Sequence, residues 1–300
     1  MHILTYHTQI TFKDIPKSGG TTAKRLYECM GQTLANRLGA DPRFGHDKDD
    51  EIVVFHPFST ESDVKFVNVD TTTKSGILRA EELGLVQSGK VDMIFTSDIN
   101  FAADHLFDSQ HKGRILAFFR HPIDRLASKF YYLQTATWER TYRPEWQGMN
   151  IIEWATNENL DENFIVKKIM GKKLSDTVDM DDLIIAKEII RRYFVVGMMV
   201  DMAESVRRFN IVLGVDYASE RGQQCMQQYF SPTNGRRRLQ EEKAKNDMNS
   251  NPHPKILEGS PEYQILAERN ALDMILYNYI TLLYEEQRIW IDSLVTQQIR

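Results

Sequence analysis

Short apolar runs alternate along this chain with longer amphipathic stretches, the pattern of a parallel sheet whose faces are covered by helices. Six segments read as strands: Ile10–Ile15, Ile52–Phe55, Lys65–Val69, Met93–Thr96, Ile115–Phe119 and Phe194–Met198. The run RILAFFR is continuously apolar between its arginines, as a strand buried on both faces should be. Apolar residues at helical spacing predict helices over Thr22–Asn36, Ser75–Ser88, Ile123–Thr137, Met180–Arg192 and Met202–Leu213. A long terminal helix is predicted after EGSPEY, running through LAERNALDMILYNYITLLYEEQRIW. The expected architecture is a single α/β domain over residues 1–300. Two stretches depart from it. Residues 136–162 hold three tryptophans with polar interruptions, an insertion that either faces an acceptor or only packs. Residues 231–261 are polar, rich in Asn and Pro and strongly charged, so they read as a loop, and GRRR within them reads as solvated charge.

Composition narrows the classes. With 300 residues and 42% apolar content, the chain can bury a sizeable core. Its net charge of −5 excludes a general polyanion binder, so no nucleic-acid partner is expected, while a local basic pocket stays compatible. Cys29 and Cys225 show no metal spacing and no disulfide framework, which fits a cytoplasmic protein. The first 17 residues lack a basic segment followed by an apolar one, and no run approaches the roughly 18 apolar residues of a membrane helix. The expectation is a soluble protein without a membrane partner.

The chemistry begins at ITFKDIPKSGGTTAKRLYECM, where an alternating segment meets Pro16, Lys17, Ser18, Gly19, Gly20, Thr21 and Thr22 and then a helical pattern. A helix amino terminus presents unpaired N–H groups and a positive dipole end, and glycines let backbone approach a ligand. With an ammonium and three hydroxyls added, this is an anion cradle; a well-capped helix is the plainer alternative. A second anion element is FFRHPIDRLASKFYYLQ, where a buried-looking strand ends on Arg120, Pro122 opens a helix, and Ser128 follows Arg120 by eight residues. Both elements belong at the carboxyl ends of strands, where open α/β sheets bind ligands, so the ligand should carry two separated phosphates. The alternatives are an Arg120 paired to a neighbouring carboxylate and an ordinary helix serine at 128. Lys17 precedes the glycines, unlike the lysine of a Walker A motif, and no G-x-G-x-x-G follows the strand. These departures disfavour a kinase and an NAD enzyme.

PKSGGTT and FRHPIDRLASKFYYL resemble the 5′-phosphosulfate and 3′-phosphate elements of sulfotransferases that use 3′-phosphoadenosine 5′-phosphosulfate (PAPS). VDMIFTSDINFAADHLF is similar to the strand and loop that carry the base in many members. YFVVGMMVDMAESVRRFNIVLG and ERNALDMILYNYITLLYEEQ are similar to a late strand–helix unit and the terminal helix of the carbohydrate, Golgi-type branch. The resemblance implies a P-loop-like core and transfer of a sulfuryl group from PAPS, with no metal. It implies that N–H groups of Ser18–Thr22 hold the 5′-phosphate, that Lys17 neutralises charge on the bridging oxygen, and that Arg120 and Ser128 grip the 3′-phosphate. The family's base is commonly a histidine, whereas TSDINF places Asp98 at that position. Asp98 is therefore the first candidate base, a cap or ion pair is its equal alternative, and His56 and His105 are rivals. The acceptor is either a glycan hydroxyl or an amine or guanidine nitrogen of a small molecule, including alkaloids of the saxitoxin type. The Trp- and Tyr-rich segment 130–146 suits stacking on either. A nucleotide-binding module without turnover, and a nucleotide-dependent kinase using ATP and magnesium, are the alternative functions.

Overall fold

The computed structural model describes residues 10–13, 15–58, 63–139, 141–156, 161–231 and 253–298. Seven strands form one sheet: β1 (Ile10–Lys13), β2 (Thr33–Ala35), β3 (Val54–Phe55), β4 (Lys65–Val67), β5 (Met93–Thr96), β6 (Arg114–Phe119) and β7 (Phe194–Met198). Their order is β3–β4–β2–β5–β1–β6–β7, and only β3 runs antiparallel, against β4. The helices are α1 (Gly20–Cys29), α2 (Lys74–Glu82), α3 (Ile99–Leu106), α4 (Pro122–Leu133), α5 (Ile151–Ala155), α6 (Phe164–Ile169), α7 (Met180–Tyr193), α8 (Met202–Leu213), α9 (Glu220–Phe230), α10 (Pro261–Arg269) and α11 (Ala271–Gln298).

Side chains of a strand alternate between faces, and both faces of this sheet are covered. Phe12, Phe95, Leu116 and Phe118 point to one side and meet Leu26 of α1, Phe209 of α8 and Cys225 of α9. Ala117, Phe119 and Val196 point to the other and meet Ile169 of α6, Ile190 of α7 and Ile280 of α11. Ile94 and Val67 on that same side are covered by Ile77 of α2 and Ala102 of α3. A further cluster joins α4, α5 and α10 around Phe130, Trp146, Trp154 and Leu266. Two of the three tryptophans of 136–162 are therefore core, and Trp138 stays 47% exposed.

Three sequence expectations are corrected. The helix expected over Thr22–Asn36 ends at Cys29, and Thr33–Ala35 forms β2 instead. All three residues of β2 are buried between β4 and β5, so pairing overrides their local pattern. The terminal helix breaks at Asn270, which is fully buried and accepts the Asn163 N–H through its side chain at 2.9 Å. Asn163 in turn accepts from the Leu272 and Asp273 N–H groups, capping α11. Finally, Cys29 and Cys225 form a disulfide across 196 residues, with Cα atoms 5.9 Å apart. Spacing along the chain carries no signal for it, because the packing of α1 on α9 creates the proximity. The GRRR stretch lies outside the described residues. Among the described residues no helix is long and apolar enough to cross a membrane.

Candidate active site

The chain leaves β1 toward β2 on one side of the sheet and returns across β1 to form β6 on the other. The strand order thus switches direction between β1 and β6, and the crevice outside their carboxyl ends is where such sheets hold ligands. Both segments expected to bind anions lie there. β1 leads into Pro16 and Lys17, and the turn closes with the Ser18 N–H donating to the Ile15 carbonyl at 3.1 Å. Lys17 has φ +66°, a left-handed conformation uncommon for a residue with a side chain. Gly19 has φ +89° and begins α1 with no side-chain cap and no acidic residue in the first turn. A Cβ on Gly19 would sit 2.6 Å from Met199 Sδ, a flexible side chain that can shift, so it is the left-handed φ that favours glycine here. The alternative of a serine- or threonine-capped helix is thereby replaced by an uncapped, electropositive terminus. Thr21 and Thr22 stand in its first turn, and Ser18 Oγ is buried without a hydrogen-bond partner among the described residues.

Arg120 follows β6 directly, and its Nη1 donates to the Lys17 carbonyl at 3.1 Å. This bond ties the two elements together and props the left-handed Lys17. Burial is the main influence lowering the Arg120 pKa, opposed by Asp124. Ser128 lies on α4, which Pro122 opens, and is 8% exposed. On the same helix Arg125 is a fully buried cation 4.4 Å from the Phe164 ring centroid, and the partly buried Lys129 is paired with Asp161.

The Lys17 ammonium lies 3.9 Å from the centroid of the Tyr132 ring. Burial, reinforced by Arg120 and opposed by Glu139, lowers its pKa to about 8. The Tyr132 hydroxyl donates to Glu139 Oε1 at 2.6 Å and accepts from Trp138 Nε1 at 3.3 Å. Burial and the Glu139 carboxylate push the Tyr132 hydroxyl up to about 12. Neither Tyr132 nor Glu139 stands out as a site residue in the sequence. The only signal is the aromatic density of 130–146, because a side-chain chain spanning a helix end and the turn after it has no periodicity to read.

Asp98 sits past the carboxyl end of β5, on the expected edge. Its carboxylate accepts the Phe101 N–H at 3.4 Å as the cap of α3 and lies 3.8 Å from Lys74 Nζ. His105 is seven residues further along α3, about 10 Å from that edge by helical rise. Its ring meets Glu81 at 2.7 Å and stacks near Phe101. His56 follows β3, whose reversed direction takes it to the opposite sheet edge, four strands or roughly 19 Å from β1. The structure thus joins Lys17 and Arg120, keeps Asp98 at the rim, and separates both histidines from them.

A cavity of about 500 Å³ lies at the amino ends of β6 and β7, lined by Arg114, Arg191, Arg192 and Trp290 among others. Its guanidinium groups are engaged by Glu286, Glu188 and the Trp290 ring, so it lacks the features of the β1–β6 crevice. Among the described residues no cluster of three His, Cys, Asp or Glu side chains is placed to hold a metal. No protein-family model and no curated protein matches this chain. The chemistry of the crevice carries the functional reading.

Proposed function

We propose that this protein is a sulfotransferase with a P-loop-like core that moves a sulfuryl group from PAPS to a glycan or small-molecule acceptor. The observation that carries the reading is the Arg120–Lys17 carbonyl hydrogen bond, which brings two anion-binding elements into one crevice at the switch point. The uncapped α1 terminus, the left-handed Gly19 and the unpartnered Ser18 hydroxyl fit a phosphate held by backbone N–H groups. Arg120 and Ser128 fit a second phosphate, and a guanidinium suits it because its paired N–H groups match phosphate oxygens. When bound, PAPS supplies the sulfuryl group and departs as adenosine 3′,5′-bisphosphate. Lys17, with a pKa about 8, is protonated roughly ten to one at pH 7 and can meet charge growing on the bridging oxygen. The residues mainly position groups and stabilise moving charge, as in phosphoryl transfer. The Cys29–Cys225 disulfide supports residence in an oxidising compartment over the cytoplasm.

The test is thermal protection. Adenosine 3′,5′-bisphosphate should stabilise the fold, by roughly 2.7 kcal/mol at a hundredfold excess over Kd, and AMP much less. Arg120→Ala should erase the difference, while Lys17→Ala should lower kcat more than it weakens bisphosphate binding. Equal protection by both nucleotides would overturn the roles of Arg120 and Ser128.

A further inference from the structure

Resting on the sulfuryl-transfer reading, we infer that Glu139 takes the acceptor's proton and that Trp138 is the platform for a hydroxyl-bearing ring such as a sugar. The wall that carries them is built from Lys17 outward. The ammonium lies on the Tyr132 ring, the Tyr132 hydroxyl holds Glu139 Oε1, and the Trp138 indole N–H holds the same hydroxyl. Tyr132 is only 7% exposed and fixes the other two, whereas Trp138 is 47% exposed and Glu139 is exposed. Glu139 Oε1 is occupied by its tyrosine, and Oε2 has no partner among the described residues. An oriented carboxylate with one engaged and one available oxygen is what proton abstraction requires.

The rival bases are committed elsewhere: Asp98 to the α3 cap and Lys74, and His105 to Glu81, while His56 lies on the opposite edge. Among the described residues, Glu139 is the carboxylate whose charge acts on Lys17, counteracting burial and the Arg120 guanidinium. The step balances with no further reactant. The acceptor oxygen bonds to sulfur as the bond from sulfur to the 5′-phosphate oxygen breaks, that oxygen leaves facing Lys17, and the acceptor's proton passes to Glu139 Oε2. Nucleophilicity selects the acceptor: a guanidinium has no lone pair free to attack sulfur, whereas a neutral hydroxyl has one and passes its proton to the base as it attacks. The flat, half-exposed indole suits the apolar face of a sugar ring.

The experiment uses the full chain with labelled PAPS, a panel of galactose, N-acetylgalactosamine and lactose, and agmatine as a guanidinium probe. Bisphosphate protection is measured first; its absence in the wild type overturns the sulfotransferase reading itself, and this inference with it. Given protection, the wild type should sulfate a sugar of the panel and not agmatine. Glu139→Gln should lower turnover roughly 10²–10⁴-fold, with protection by the bisphosphate unchanged, and Glu139→Asp should restore part of it. Asp98→Asn should retain turnover. Independently of any acceptor, the pH midpoint for labelling Lys17 with an amine-reactive ester should fall below about 8 in Glu139→Gln, since Arg120 and burial then act unopposed. Turnover of Glu139→Gln within threefold of wild type, or an unmoved Lys17 midpoint, would overturn the role of Glu139. Sulfation of agmatine but of no sugar, or of neither, would overturn the acceptor class.

Discussion

Replacing Cys29 and Cys225 together by serine tests how α1, the helix that follows the Lys17 turn, is tethered. Cys29 is the last residue of α1 and Cys225 lies within α9, 196 residues away. Closing a loop of that length restricts the unfolded chain by about 18 cal/mol/K in the chain-entropy relation, or about 5 kcal/mol at 25 °C. Native disulfides typically return about 2–5 kcal/mol, so a loss of about 3–5 kcal/mol is expected. At roughly 2.1 cal/mol/K of unfolding entropy per residue, 300 residues give about 0.6 kcal/mol/K, and Tm should fall by about 5–8 °C. Calorimetry of the wild type and the double variant without reductant reads this directly, and thiol titration in denaturant should find no free thiol before reduction. Bisphosphate binding should change little, because α1 holds the cradle at its other end, about 15 Å from Cys29 by helical rise. Free thiols in the unreduced wild type, or an unchanged Tm in the variant, would refute the reasoning.

Lys17 should make stability rise with pH. Its folded pKa of about 8 lies below its ordinary value near 10.5, so between those values the unfolded chain binds more protons. Wild-type stability should therefore increase over that window relative to Lys17→Met, as urea melts at pH 7.5 and 10 would show. Gly19→Ala forces a Cβ against Met199 at a left-handed φ and should cost about 1–3 kcal/mol while weakening bisphosphate binding, read by denaturation and calorimetric titration. Arg125→Met replaces a buried guanidinium whose nitrogens have no hydrogen-bond partner among the described residues, and should leave stability unchanged or raise it by about 1–4 kcal/mol by chemical denaturation.

The sequence by itself determined the α/β class, two strands to the residue (Met93–Thr96 and Phe194–Met198) and helix Met202–Leu213. Continuous burial on both faces writes those strands as unbroken apolar runs, and one-sided burial writes the helix at a period of 3.6. It also marked Lys17 and Arg120, since glycines beside a lysine and an arginine at a strand end are compositional signals. Tertiary structure decided the rest, wherever the cause lies far along the chain or in a side-chain contact. Thr33–Ala35 is a strand because β4 and β5 receive it. The terminal helix breaks at Asn270 because Asn163 lies across from it, and Cys29 meets Cys225 because two helices pack. His56 is carried off by the reversal of β3, and His105 by the length of α3. Glu139 comes beside Lys17 only because Tyr132 is buried between them with its hydroxyl needing a partner, and a buried hydroxyl's choice of partner is made by packing.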